Sequence, residues 1–393
     1  MAPLRKLCGI GGQFVICNMK RLTLLTLAIT GSMYLTAQEK ENYMLVGTYT
    51  APGKSEGLYV YRFNSETGEA VPISSVATSS PSYVAVSPDE KFVYAVHETD
   101  RKGLGGEISA FAFDKVTGRL TFINKQPSGG DHPCYIEVDN TGKWVFAGNY
   151  SSGSLSVFPV NATGGLDKSS QVIQHTGSGA DKNRQEKPHV HCTKLSPDNR
   201  WLFVPDLGID KVMIYAFDEI TGQLTPGRPA FSASDPGDGP RHFTFHPNRQ
   251  YAYLIEELSG HVVTYRYDNG LLTELQRVST IPEGQTGYPG SADIHVSPDG
   301  KFLYASNRGD FNTIACYAIN TNGTLTSTGH QSTLGKGPRN FNFDPSGDYL
   351  LVANQQSDAI VIFKRNTMTG ELSDTGKRIN LGQPVCIKWI AIH

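Results

Sequence analysis

The chain repeats itself. Two short apolar strands around a Ser-Pro-Asp-Gly-type turn recur as PSYVAVSPDEKFVYAVHE (81–98), PCYIEVDNTGKWVFAGNY (133–150), HVHCTKLSPDNRWLFVPDL (189–207), PRHFTFHPNRQYAYLIEE (240–257), SADIHVSPDGKFLYASNR (291–308) and PRNFNFDPSGDYLLVANQ (338–355). The turn position falls at 88, 140, 197, 247, 298 and 345, so successive steps lie between 47 and 57 residues. Such punctuation predicts β-hairpins. A fixed period of this length predicts units that bury their apolar faces on one another.

After each hairpin comes an alternating strand, a Thr-Gly-type turn and Leu-Thr, as in GEISAFAFDKVTGRLT and DKVMIYAFDEITGQLT. Seven copies of this second unit accompany six full hairpins. The missing hairpin is split between the chain ends: YMLVGTYT (43–50) lacks a first strand, and PVCIKWIAIH (384–393) lacks a second. Joining the ends completes a seventh four-stranded unit and leaves no open edge across the ring. An open solenoid would instead need polar capping repeats, and none is visible. The expected fold is therefore all-β, a seven-bladed β-propeller, with residues 43–393 as its single domain.

The start reads differently. From Met19, a basic pair precedes an apolar run from Leu22 to Leu35 and small residues ending at Ala37, the pattern of a secretory signal peptide rather than a membrane anchor. Residues 1–37 are thus expected to be an upstream extension and a removed signal, which places the mature chain in the periplasm or outside the cell. Removing them takes 4 of the 35 basic residues and leaves 31 against 37 acidic ones, which favours neither nucleic acid nor an anionic membrane. Cys134, Cys192, Cys316 and Cys386 remain, widely spaced, and are expected to be buried free thiols. The domain is expected to be a monomer.

In a hairpin, the start of the first strand and the end of the second lie together, opposite the turn. Six residues before each turn position stand Ser82, Cys134, His191, Arg241, Ala292 and Arg339; ten residues after stand Glu98, Tyr150, Leu207, Glu257, Arg308 and Gln355. The two sets predict facing rings at one mouth of the central channel. Arg241 and Glu257 thereby become neighbours, and the arginines offer planar donors to a carboxylate or phosphate. His242, His246, His261 and His295 fall off the rings and are expected to be packed or solvated. His189 and His191 have the spacing of paired zinc ligands, with Asp206 a possible third. H-x-H alone is a weak signal, so no metal and no cofactor are expected.

The stretches LVGTYT, PHVHCTKLSPDNRWLFVPDLGIDKV, GPRHFTFHP with YLIEEL, YASNRG and GKGPRNFNFDPSGDYLLVANQ resemble the seven-bladed propeller lactonase family, which includes a bacterial 6-phosphogluconolactonase and a fungal carboxymuconate lactonising enzyme. The resemblance covers residues 43–393. It implies a metal-independent site with His191, Arg241, Glu257 and Arg308 as the catalytic set. His189, Arg339, Glu98 and Asp206 are the candidate substrate-binding residues. The expectation is a lactone hydrolase acting on a sugar-derived lactone, its small-molecule partner an anionic lactone or sugar acid, with arginines on the anion and Glu257 or His191 activating water. A muconate-type cycloisomerase and a non-catalytic binding propeller are the alternatives. The long polar segments 176–188 and 281–290 are candidate lids over the mouth.

Overall fold

The turns explain why the strands begin where they do. In three repeats the serine of Ser-Pro-Asp donates to the aspartate two residues on and accepts the N–H that starts the next strand. Ser297 Oγ lies 2.5 Å from Asp299 Oδ1 and 3.0 Å from Phe302 N, and Ser87 and Ser196 do the same with Asp89 and Asp198. In two repeats an aspartate stands there and accepts that N–H directly, as Asp139 does from Trp144 and Asp344 from Tyr349, and in the sixth His246 takes the Asn248 N–H instead. Each turn side chain thus satisfies backbone groups that would otherwise be left unpaired at the hairpin tip.

In this computed structural model, which describes residues 41–100 and 103–392, the strands form seven four-stranded antiparallel sheets. Six sheets follow the chain, spanning 84–127, 133–174, 194–233, 240–279, 291–332 and 338–380. The seventh pairs Pro384–Ala391 with Glu41–Thr48 and adds Gly57–Asn64 and Glu69–Ala77. The closing register sets Val46 opposite Ile387 and Leu45 opposite Lys388. The chain ends therefore share one blade, as expected. The expected signal peptide, Met19–Ala37, lies outside the described residues. No helix among them is long and apolar enough to cross a membrane.

The first strand of each blade is innermost, and successive inner strands touch around the ring, as Pro240–Phe245 touches Ser291–Val296 and Pro338–Phe343 touches Pro384–Ala391. Second strands are covered on both faces by neighbouring blades, so Phe302–Asn307 and Tyr349–Asn354 are buried throughout. Outer strands such as Glu69–Ala77 meet water and alternate. The core lies between blades. Met44, Val46 and Phe63 of the closing blade pack on Tyr349, Leu351 and Ile360, and Phe302 and Tyr304 pack on Phe341 and Phe343. Each such side chain contributes about 1.5–3 kcal/mol on burial. Cys134, Cys192, Cys316 and Cys386 are buried free thiols, as expected.

One hairpin departs from expectation. The first strand read into HVHCTKLS shrinks to Lys194–Leu195, with a lone bridge between Val190 and Asp206. Asp206 is the reason: its Oδ1 accepts the His189 N–H at 2.6 Å and the Gly208 N–H at 3.0 Å, replacing ladder bonds with a side-chain cap.

Candidate active site

At the mouth opposite the Ser-Pro-Asp turns lies a cavity of about 260 Å³ lined by Glu98, Cys134, Tyr150, His191, Glu257, Arg308 and Arg339 of the two rings. Tyr49 and Arg184 complete the wall. Beneath it, a chamber of about 10 Å³, room for about one water, is floored by Arg241, His242, Tyr83 and Asn340. The rings converge as the register predicts, and Arg241 and Glu257 meet.

Glu257 is the hub. Its Oε2 accepts from Arg241 Nε at 2.9 Å and lies 2.9 Å from Arg308 Nη2, while its Oε1 accepts from Arg184 Nη2 at 2.6 Å. Arg241, at 1% exposure, also donates through Nη1 to the Ala292 carbonyl. Arg308 Nε donates to the Gly290 carbonyl at 2.8 Å. On the other side of the mouth, Glu98 accepts from Tyr49 Oη at 2.8 Å and from Ser82 Oγ, and Arg339 approaches its Oε1 at 3.9 Å while stacking over the Tyr49 ring.

Charge follows from this packing. Burial would push the Glu257 carboxyl up, but Arg308, Arg241 and Arg184 outweigh it and hold the group well below the usual carboxylate range. Burial, then repulsion by Arg308 and Arg339, brings Arg241 down to about 10, and Glu257 offsets only part of this. His191 is held well below its usual value by burial and then by Arg241, His242 and Arg339, so it is neutral near pH 7. Arg184, Arg241, Arg308 and Arg339 outnumber the carboxyl groups of Glu257, Glu98 and, below them beside His242, Asp293, which leaves a cationic surplus in a concave site. Such a site binds anions and stabilises oxyanions.

Two expected residues stand behind the cavity wall. Asp206 is fully buried, with Oδ2 2.6 Å from His175 Nδ1 and Oδ1 on backbone N–H groups, so it does not reach a substrate. His189 stacks on Tyr150 at 4.5 Å and donates from Nδ1 to the Tyr150 carbonyl, which places it as a buttress. Among the described residues, Asp238, Glu256 and His261 bring ligand-type atoms within 4.8 Å of one another. Arg277 already supplies the cation there, contacting both carboxyl groups, and burial with Asp238 pushes Glu256 up to about 9.

Tyr49 holds the same ring position in the closing blade, one residue past Thr48 as Glu98 stands past His97 and Glu257 past Glu256, outside the six full hairpins from which the rings are counted. Continuing the count through the closing blade would have found it. Arg184, in an aperiodic segment, carried no such signal. His242 is packed as expected, but against the site: its Nδ1 lies 2.8 Å from Asp293 Oδ1 and its ring 5.3 Å from that of His191.

Residues 43–389 match the family model described as lactonase, 7-bladed beta-propeller. A Formosa agariphila protein named 6-phosphogluconolactonase is 43% identical over 84% of this chain and 94% of its own length. A Bacillus subtilis protein of the same name is 37% identical over 88% and 97%. The solved structure of a Pseudomonas aeruginosa periplasmic gluconolactonase superposes with a TM-score of 0.85 at 37% identity, covering 90% of this chain and all of that one.

Proposed function

This chain belongs to the seven-bladed β-propeller lactonase family, and on that premise we propose that it hydrolyses a sugar-derived lactone. The observation that carries this reading is the convergence of Arg308, Arg339, His191 and Glu257 on one cavity, with Arg241 beneath them in the adjoining chamber and bonded to Glu257. The arginines hold the lactone carbonyl as it becomes an oxyanion, together with any anionic group on the sugar. No metal is needed for that charge, since the guanidiniums supply it.

Water attacks the carbonyl carbon and its proton passes to Glu257. The ring C–O bond then breaks, and the proton returns through His191 to the departing alkoxide oxygen, leaving the open hydroxy acid. His191 suits this passage because it is neutral and faces the cavity. Export through the Met19–Ala37 segment completes the reading: the lactone is one met outside the cytoplasm, as the periplasmic name of the Pseudomonas relative would fit.

A panel of aldonolactones assayed with Arg241→Met and Glu257→Gln tests the assignment. Turnover falls by about 10²–10⁴ in Glu257→Gln if the carboxylate carries the proton. Wild-type rates in both variants would reject the site.

A further inference from the structure

Arg241 and Arg308 fill Glu257 Oε2, so the acceptor site left for a proton from water is on Oε1, the oxygen that Arg184 holds. The three are not equally committed. Arg241 is buried on an inner strand and tied to the Ala292 carbonyl. Arg308 is tied to the Gly290 carbonyl at 2.8 Å and approaches that of Ser291 at 3.4 Å. Arg184 differs. It sits in a segment without regular secondary structure, its side chain is 34% exposed, and among the described residues its other side-chain bonds go to two tyrosine hydroxyls, Tyr288 at 3.0 Å and Tyr150 at 3.4 Å. Tyr288 belongs to the other long segment, so the two candidate lids meet through Arg184 directly over Glu257 Oε1.

We infer that Arg184 is a substrate-operated gate: an anionic group on the lactone draws its guanidinium from Glu257 Oε1, so the same contact that selects the substrate uncovers the base. The gate rests on the lactonase reading with Glu257 as proton acceptor. A neutral lactone makes no such exchange and meets a Glu257 whose Oε1 is still held by Arg184. Electrostatics runs the same way. Arg184, Arg241, Arg308 and Arg339 face Glu257 with the Tyr150 hydroxyl, and the cations hold its carboxyl far below the usual range, where it is a weak base. Moving one cation onto the substrate raises its basicity when water is in place. Arg184 is thereby a specificity-determining residue, and the substrate class is a lactone carrying a phosphate or a carboxylate beyond the ring.

The test compares kcat/KM for three aldonolactones, one neutral, one with a terminal phosphate and one with a terminal carboxylate, in wild type, Arg184→Met and Arg184→Lys. Wild type favours at least one anionic lactone, and the two anionic arms identify which group the gate reads. Arg184→Met lowers that preference at least tenfold. It also moves the acidic limb of the kcat/KM profile to higher pH, because Glu257 loses a cation and holds its proton more tightly. Arg184→Lys keeps a charge without the planar fork and falls between. A preference unchanged within twofold, or an unmoved acidic limb, overturns the gate. Glu257→Gln separates the two ideas: if it turns over like wild type, the base assignment fails whatever Arg184 does. Calorimetric titration with the matching phosphorylated and unphosphorylated aldonic acids needs no turnover. Arg184→Met weakens the phosphorylated or dicarboxylic acid at least tenfold more than the monoacid, and equal weakening of all three overturns the proposal.

Discussion

Arg241 and Glu257 are each buried, and each alone would be an expensive charge to hold away from water. Together with Arg308 they form a cluster whose cations outnumber its anions, and on the proposed reading a ligand's anion balances it. Glu257→Gln sharpens that imbalance. It leaves Arg241, already lowered to about 10, facing Arg308 with no carboxylate between them. We expect a loss of about 3–5 kcal/mol in buffer without multivalent anions, partly restored by inorganic phosphate. Thermal melts with and without phosphate read this directly, and a variant indifferent to phosphate would mean that the surplus charge is closed to ligands. At this scale the sequence was informative wherever a residue sat at a fixed distance from a turn. Arg241, Glu257, Arg308, Arg339, His191 and Glu98 were all placed by counting from it. Position does not reveal the partner of Asp206: His175, which takes its carboxylate, lies 31 residues away in an outer region without repeat markers. Arg184 was invisible for the same reason, since a loop residue has no register to count.

The two long segments are seated by glycines. A Cβ on Gly309 would stand 1.8 Å from the Tyr288 carbonyl oxygen, and one on Gly208 would stand 1.9 Å from that of Lys187. Neither contact leaves room for a methyl group. Both glycines follow the ends of second strands, beside Arg308 and Leu207, so the blades themselves fix how closely the segments approach the mouth. Gly309→Ala is expected to lift residues 281–290, break the Tyr288–Arg184 contact and cost about 1–3 kcal/mol. Limited proteolysis should then cut within 281–290 while the strands stay protected, and selectivity between anionic and neutral lactones should fall. Unaltered cleavage would show that the segment is held by something other than this contact. Among the elements, strands and turns were legible because Ser-Pro-Asp and apolar alternation are local signals. The hairpin at 189–207 was read as too regular, because a capping carboxylate imitates a strand's pairing without continuing it.

The closing blade decides whether the rest of the molecule exists as one object. Its inner strand, Pro384–Ala391, comes from the far end of the chain, and Val385 reaches the chamber below the site. Without that strand, Glu41–Thr48 would expose an unpaired edge, and the inner ring would break between Pro338–Phe343 and Val84–Val86, both of which touch it. A row of stacked repeats with free ends unfolds piecemeal, because each unit answers only to its neighbours. A ring has no end from which to fray, so damage at the closure is shared by every blade. Ile387 is fully buried opposite Val46. Ile387→Ala should cost about 2–5 kcal/mol, enough to lower Tm by several degrees. The informative result is the coincidence of probes. Trp144 and Trp201 lie on the second strands of other blades, and their fluorescence should change at the same lowered temperature as lactonase activity and far-ultraviolet dichroism. If the closing blade melted first while those tryptophans kept their native emission, the ring would be only a row of repeats bent into a circle. Its site, built from residues of most of the blades, would then have no reason to hold its geometry.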